Sequence, residues 1–226
     1  MKIKTIISAA SAALVLVSGM ALPASATTSA IESPPPAAGE GIYVLGAPTE
    51  STENGAEFYA VPDEYRDSLL ITPEVAADLQ LPPGPVAETD VAEVSAKVAA
   101  VETDSRTETS KKADGGFSTL GINDTSFSYG PGTAWLGPYQ RNTSLSGCCS
   151  HFYSWYVDGA LSTQACLQGQ GYYTGYNGGS FGLWAAWYSL GCGASGGYTV
   201  PWDNVSAYPK VLARSQYGYY GGGIFN

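Results

Sequence analysis

The sequence contains a single histidine and only four cysteines among its 226 residues. A structural zinc site takes four Cys or His ligands, usually in closely spaced pairs such as C-x-x-C, and no such pairs occur here. His151 has no neighbouring cluster of carboxylates, so we expect a hydrogen-bonded structural side chain rather than a metal ligand. The sequence therefore predicts no metal site and no cofactor.

Basic residues are also scarce, because 10 Lys and Arg stand against 20 Asp and Glu, for a formal net charge of −10. Proteins that bind nucleic acid or anionic membranes need a concentrated positive surface. We therefore expect neither nucleic acid nor an anionic membrane surface as a partner.

Long apolar runs are confined to the N-terminus, where one run has the features of a secretory signal. Two lysines precede an apolar stretch over residues 6–22, and residues 24–26 read Ala-Ser-Ala, an A-x-A cleavage site. The sequence predicts a signal peptide over residues 1–26 and no membrane span in the mature chain. The protein is then secreted, either extracellular or associated with the cell surface.

Charge and aromatic residues are unevenly distributed along the rest of the chain. Residues 27–114 contain 17 acidic and 5 basic residues, whereas residues 115–226 contain three of each. All five Trp, 13 of the 16 Tyr and all four Cys lie in the second part. Such a break marks a boundary between segments of different character. We predict an acidic, Pro- and Ala-rich leader over residues 27–114, either a spacer or a propeptide, followed by an aromatic- and Gly-rich β domain over residues 115–226.

The leader contains two signals for short helices. Thr72 and Pro73 suit the N-cap and first positions of a helix that must end before the prolines at 82–85. A second helix, starting near residue 90, carries a narrow apolar stripe of Val91, Val94, Val98 and Val101. A hairpin of residues 41–46 with 56–61 is also expected. The high charge predicts that the leader is otherwise largely disordered.

The second part of the chain alternates short apolar segments with Gly, Pro and Asn, which predicts seven or eight short strands. The expected fold class is all-β, a disulfide-linked β-sandwich or small barrel. Along residues 148–158, Tyr153 and Trp155 fall on one face of a strand and Phe152 and Tyr156 on the other. Because both faces carry large aromatic residues, we predict a central strand that is covered on both sides.

An even number of cysteines in a secreted chain indicates two disulfides. Neighbouring side chains diverge along a strand, so we expect Cys148 and Cys149 to bond two distant cysteines. The partners would be Cys166 and Cys192, in an order that the spacing leaves open.

The candidate catalytic residues form no convincing set. Ser195 lies in a Gly-rich segment downstream of His151 and Asp158, the chain order of chymotrypsin-like proteases, but Ala194 replaces the acidic residue of that family's motif. Asp158 and Asp203 have turn-like contexts, and residues 115–226 contain no Glu for a glycosidase pair. We predict no catalytic residues, with a secreted hydrolase that uses aspartates or Ser195 and His151 as an alternative.

Aromatic side chains make up about one residue in five of the β domain. Tyr and Trp combine an apolar ring with a polar edge, which suits them to sugar rings and protein surfaces. We predict a secreted, non-enzymatic binding domain for a glycan, a cell-envelope polymer or a protein; a secreted inhibitor or antimicrobial released from a propeptide is a further alternative. Roughly half of the aromatic residues must form the core, and residues 217–220 are expected to be exposed. The predicted ligand-binding residues are Tyr172, Tyr173, Tyr176, Trp184, Tyr188, Tyr217, Tyr219 and Tyr220.

Overall fold

The computed structural model describes residues 41–103, 124–158 and 164–226, apart from the side chains of residues 102, 103 and 148. The predicted signal peptide, the start of the leader and the segment that joins the leader to the β domain lie outside the described residues, as does the turn expected after Asp158. Within the described ranges, no helix has the length and hydropathy needed to cross a membrane.

The described residues form a mostly β structure with two helices, so the predicted fold class is confirmed in its β-rich character. The strands are β1 (Ile42–Val44), β2 (Glu50–Ser51), β3 (Glu57–Ala60), β4 (Leu69–Ile71), β5 (Gly84–Pro85), β6 (Thr125–Tyr129), β7 (Leu136–Gln140), β8 (Leu145–Asp158), β9 (Ala165–Asn177), β10 (Ser180–Gly193), β11 (Ser195–Ala207), β12 (Lys210–Ser215) and β13 (Gly221–Phe225). The helices are α1 (Pro73–Leu79) and α2 (Val91–Thr103), with a 3-10 turn at Asp63–Tyr65.

The strands join one curled sheet, a half-barrel, rather than the two stacked sheets of a sandwich. Neighbouring strands pair in the order β6, β13, β8, β11, β9, β12 and β7. A side-chain hydrogen bond links the first and last strands of this series: the Tyr139 hydroxyl on β7 donates to the Ser128 carbonyl on β6 at 2.7 Å. The inside of the curl is filled by buried aromatic and aliphatic side chains, including Tyr153, Trp155 and Leu167.

Strand β9 is one long strand, although the sequence predicts two short ones separated by glycine. The glycines continue the extended backbone because large rings lie against them. A Cβ atom on Gly169 would lie 2.8 Å from Cδ2 of Tyr153, and one on Gly171 would lie 2.9 Å from Cε2 of Tyr188. These glycines therefore admit rings into close contact with the strand instead of turning the chain.

Strand β9 also takes the central place that the sequence predicts for β8. It pairs with β10, β11 and β12, and its residues from 165 to 172 are almost all buried. On β8, Tyr153 and Trp155 are buried as expected, but Phe152 on the opposite face is 58% exposed. The prediction of a β8 covered on both sides is wrong, because no second layer lies over that face among the described residues.

Residues 41–103 are part of the same sheet, so the prediction of a largely disordered leader does not hold for them. Strand β3 pairs with β10, and β4 lies parallel to β11, with Leu70 opposite Val205. The predicted hairpin does not form, because β1 pairs with β4 and β5 instead. Non-local pairing offers these short strands more buried surface than an isolated hairpin could provide.

Both predicted helices are present and pack against this region. Helix α1 begins after Thr72 with Pro73 at its first position, and α2 buries Val94 and Val98 of the predicted stripe. Together with Ile71 and Tyr208, these helices build a second core. This core joins leader residues to the chain that follows β11.

One disulfide is described completely, and it links β9 to β10. Cys166 and Cys192 face one another in the strand register and form an S–S bond of 2.00 Å. Cys149 is also disulfide-bonded, but neither Cys166 nor Cys192 is its partner. The prediction that Cys148 and Cys149 reach those two cysteines is therefore wrong, because β8 pairs with β11 and β13 while the other two cysteines meet across β9 and β10. The side chain of Cys148 lies outside the described residues.

If the leader is integral to the fold, a cavity made in it should unfold the whole sheet. Ile71 is fully buried, and Ile71→Ala should lower the free energy of unfolding by about 2–5 kcal/mol. Urea unfolding followed by tryptophan fluorescence measures this, because all five Trp lie after residue 115. Glu53→Ala, at an exposed turn, is the control and should change stability by less than about 0.5 kcal/mol. An unchanged tryptophan transition in Ile71→Ala would show that the leader folds separately.

Candidate functional site

Three of the predicted binding residues come together on one face of the β9–β10 pair. Trp184 lies directly opposite Tyr173, and Tyr188 lies further along β10 on the same face. Between them Ala186 lies opposite Gly171, so small residues separate the large rings. We call Tyr173, Trp184 and Tyr188, with the Gly171 and Ala186 floor, the aromatic face.

The Tyr173 and Trp184 rings form the flat part of the aromatic face. Their planes differ by 13° and their centroids are 6.3 Å apart, so the rings are parallel but offset. Trp184 is held from its other side by buried Phe58 of β3, with ring centroids 4.9 Å apart. Tyr173 remains 37% exposed. A rigid, partly buried Trp therefore supports an accessible Tyr.

Gly171 itself is buried, because Tyr188 and the Pro201 carbonyl oxygen both lie 2.9 Å from where its Cβ atom would be. Burial raises the pKa of Tyr188, and the nearby Tyr173 and Asp203 raise it further. The phenol is therefore neutral at physiological pH and keeps its proton for hydrogen bonding.

A carboxylate lies beside the aromatic face, at the point where β11 leaves β9. The two strands pair only at Trp202 and Tyr172. Just beyond this pair, Oδ2 of Asp203 accepts hydrogen bonds from the Thr174 backbone N–H at 2.6 Å and from the Thr174 hydroxyl at 2.8 Å. Asp203 was expected in a turn, but it lies in a bulge of β11 and replaces the missing strand partner of Thr174.

Two other predicted residues lie next to the aromatic face in sequence but not on it. Tyr172 is only 2% exposed; its ring packs edge-on against Trp202, and its hydroxyl donates to Oε1 of Gln170 at 2.9 Å. Tyr176 is exposed, but the Arg66 guanidinium lies 5.5 Å from its ring centroid and donates a hydrogen bond to its hydroxyl. Tyr172 belongs to the core, and Tyr176 is engaged within the protein.

The remaining predicted residues, Tyr217, Tyr219 and Tyr220, lie on the connection between β12 and β13. They are 59%, 63% and 75% exposed, in agreement with the expectation for residues 217–220. Within this loop, the Tyr219 backbone N–H donates to the Ser215 hydroxyl at 2.8 Å. Tyr220 lies near Leu136, since a Cβ on Gly130 would contact both side chains. We call this second surface the tyrosine loop.

The strand register separates the residues of both alternative catalytic pairs. Ser195 pairs with Tyr156 and His151 with Val200, so the two candidates are about 17 Å apart along the strands and point to opposite faces. Asp158 ends β8, whereas Asp203 lies beside the other end of that strand, more than about 30 Å away. Neither pair can act on one bond, because general acid–base partners must come within hydrogen-bonding reach of the same substrate.

His151 is part of the aromatic packing instead. Its ring contacts Tyr153 and Trp202 edge-on, with centroids 4.4 and 5.1 Å apart. Burial lowers the pKa of His151 to about 4, with a further contribution from the charge of Arg141. Its Nε2 atom is buried without a hydrogen-bond partner among the described residues, so edge-on packing against Tyr153 and Trp202 is the interaction that the structure shows for this ring.

Sequence reasoning missed the floor and the support of the aromatic face. The floor could have been found, because Gly169, Gly171 and Gly175 fall on the same face of β9 as Tyr173, and glycine within a strand often marks the close approach of another group. The support by Phe58 could not, because it depends on the pairing of β3 with β10, far apart in sequence.

Comparison with protein-family models, with curated proteins and with solved structures gave no significant match. In the described part of the chain, no group of three or more His, Cys, Asp or Glu side chains is arranged to hold a metal ion.

The buried histidine should make the protein less stable in acid. The unfolded chain protonates His151 near pH 6.5 and the folded one only near pH 4, so the unfolded state binds more protons between these values. The stability that depends on a neutral His151 is fully present above about pH 7. It decreases as the pH falls to 4, and the total loss is up to about 3 kcal/mol. Urea unfolding across this pH range measures the loss of stability. Carboxylates contribute to it equally in the His151→Phe variant, so the difference between the two proteins gives the contribution of His151. Parallel pH profiles for the two proteins would contradict the assignment.

Proposed function

We propose that the protein is a secreted, non-enzymatic binding module that recognises an uncharged polysaccharide, of the cell envelope or another glycan, through its aromatic face. The observation that carries this proposal is the nearly parallel Tyr173 and Trp184 pair, with the Tyr188 phenol and the Asp203 carboxylate nearby. The three features lie on adjoining strands and combine apolar contact with hydrogen bonding.

The chemistry of the aromatic face matches a sugar ring. A pyranose presents apolar C–H faces, which pack on flat rings, and hydroxyl groups, which need acceptors and donors. Tyr173 and Trp184 supply the rings, Asp203 supplies an acceptor, and the neutral Tyr188 phenol can both donate and accept. Because Trp184 is held by Phe58, little side-chain entropy remains to be lost on binding.

The charge distribution also favours an uncharged ligand. The chain carries a net charge of −10, and the leader with its 17 acidic and 5 basic residues pairs with β10 and β11, so the protein would repel an anionic polymer. The exposed ring surface is therefore the main source of affinity.

Secretion is supported by the signal-like N-terminus and by the disulfide between Cys166 and Cys192. Release of an active fragment from a propeptide is less well supported. Leader residues such as Leu45, Tyr59 and Leu70 lie in the main core, so removal of the leader would expose that core to water.

A protein surface is the second candidate ligand, and the tyrosine loop favours it. Loops rich in Tyr and Gly recur in protein-binding sites because Tyr offers a large contact area at low entropic cost. Tyr217, Gly218, Tyr219 and Tyr220 have this composition. The two surfaces can be tested separately because their residues do not overlap.

The polysaccharide proposal predicts retention of the purified protein on at least one insoluble uncharged glycan among cellulose, chitin and β-1,3-glucan. Tyr173→Ala should weaken binding about tenfold, since a ring contact is worth about 1–1.5 kcal/mol. Depletion isotherms on each glycan provide the measurement.

The matched control is Tyr198→Ala, because Tyr198 is similarly exposed on β11 but is not on the aromatic face. A second control, Tyr219→Ala, removes a ring from the tyrosine loop. Failure of the unmodified protein to bind any of the three glycans would count against the proposal, as would equal loss in Tyr173→Ala and Tyr198→Ala. If only Tyr219→Ala loses glycan binding, the binding site is the tyrosine loop and not the aromatic face.

A further inference from the structure

A cleft of about 330 Å³ lies where the leader meets the β8–β11 pair. Its apolar wall consists of Ile42 of β1, Leu69 of β4 and Val91 at the start of α2. Its polar lining includes Ser95 of α2 and Asn204 of β11. Among the described residues, the cleft has no charged side chain in its lining, so ionic ligands find no partner there.

A β-bulge forms one wall of the cleft. The register of β8 and β11 shifts between Trp202 and Val205, which face Cys149 and Gly147 respectively. A bulge leaves the extra residue outside the regular hydrogen-bond ladder, and such irregularities are common beside binding sites. Asn204 lies in this bulge and is exposed, so its amide can both donate and accept at the mouth of the cleft.

Gly147 keeps the wall free of side chains. It has a φ of +128°, a conformation that residues with a Cβ rarely adopt. A Cβ placed there would meet no atom within 4 Å, so the space beside this position is open. The backbone conformation of β8 therefore favours glycine at position 147, and the absence of a side chain there leaves space in the cleft.

The neighbouring serine provides an unused hydroxyl. Ser146 lines the cleft, and its Oγ atom is buried without a hydrogen-bond partner among the described residues. An unpaired buried hydroxyl is unfavourable, because it has lost its hydrogen bonds to water without gaining others. A Ser side chain can turn between staggered rotamers, so a hydroxylated ligand in the cleft can satisfy this group.

We propose that the cleft binds one small, uncharged, hydroxylated molecule of about the size of a single sugar ring. Its volume lies at the low end of the range for small-molecule sites, about 300–1,000 Å³. One apolar wall and three separate polar groups match a ring with one apolar side and several hydroxyls. This site shares no lining residue with the aromatic face, so it does not depend on the function proposed above.

The test uses the full-length secreted protein and soluble probes: glucose, N-acetylglucosamine and glycerol, with gluconate as the charged comparison. Saturation-transfer NMR titrations measure binding. Ser95 is exposed on α2 and lines the cleft, so Ser95→Trp should block the cleft and weaken binding at least tenfold. Ala96→Trp, one position along the same helix and not in the lining, should bind as the unmodified protein does. Asn204→Ala, at an exposed position, should weaken binding severalfold without affecting the fold, which circular dichroism verifies.

Tyr173→Ala distinguishes this site from the aromatic face and should leave binding of the soluble probes unchanged. The proposal would be overturned by no saturable binding of any uncharged probe, by equal binding of gluconate, or by binding that survives Ser95→Trp and Asn204→Ala. Binding that is lost in Tyr173→Ala would assign the probes to the aromatic face and would also overturn it.

Discussion

The contact between Tyr153 and the bare backbone of β9 is the constraint on which the fold depends. The Tyr153 ring lies against Gly169, and its hydroxyl donates to the Gln170 carbonyl at 2.9 Å and accepts from the Lys210 backbone N–H at 3.1 Å. One fully buried side chain of β8 therefore joins two other strands, β9 and β12, across the inside of the curl. Burial raises the pKa of Tyr153, so the neutral phenol can maintain both hydrogen bonds.

The same kind of contact, a Tyr ring packed against a glycine of β9, also occurs in the aromatic face, for which we propose the binding function. Further along β9, Tyr188 packs against Gly171 as Tyr153 packs against Gly169. This part of the strand lies nearer the surface, and the Tyr188 and Tyr173 rings are partly accessible. Aromatic rings therefore pack against glycine on β9 both in the core and near the surface. The surface is rigid because Trp184 is held by the buried Phe58. Rigid, neutral rings beside one carboxylate favour recognition over bond cleavage.

Local features of the chain could be predicted from the sequence, and long-range ones could not. The Thr72 and Pro73 helix start depends on neighbouring residues only, and it was predicted correctly. Which face of β8 is covered depends on distant strands, and the expected cover over Phe152 is missing among the described residues. The continuity of β9 was missed because glycine usually indicates a turn, and its role at Gly169 depends on a ring from another strand. The pairing of β3 with β10, the Cys166–Cys192 bond and the Phe58 support all depend on a register that no local pattern specifies.

The most direct test of the account is to locate the bound glycan by NMR. Titration of the isotope-labelled protein with a soluble fragment of a glycan that retains it should shift the signals of Tyr173, Thr174 and the Trp184 indole N–H together, and leave those of residues 217–220 unchanged. Shifts confined to the tyrosine loop, or no shift at saturating fragment, would contradict the assignment of recognition to the aromatic face.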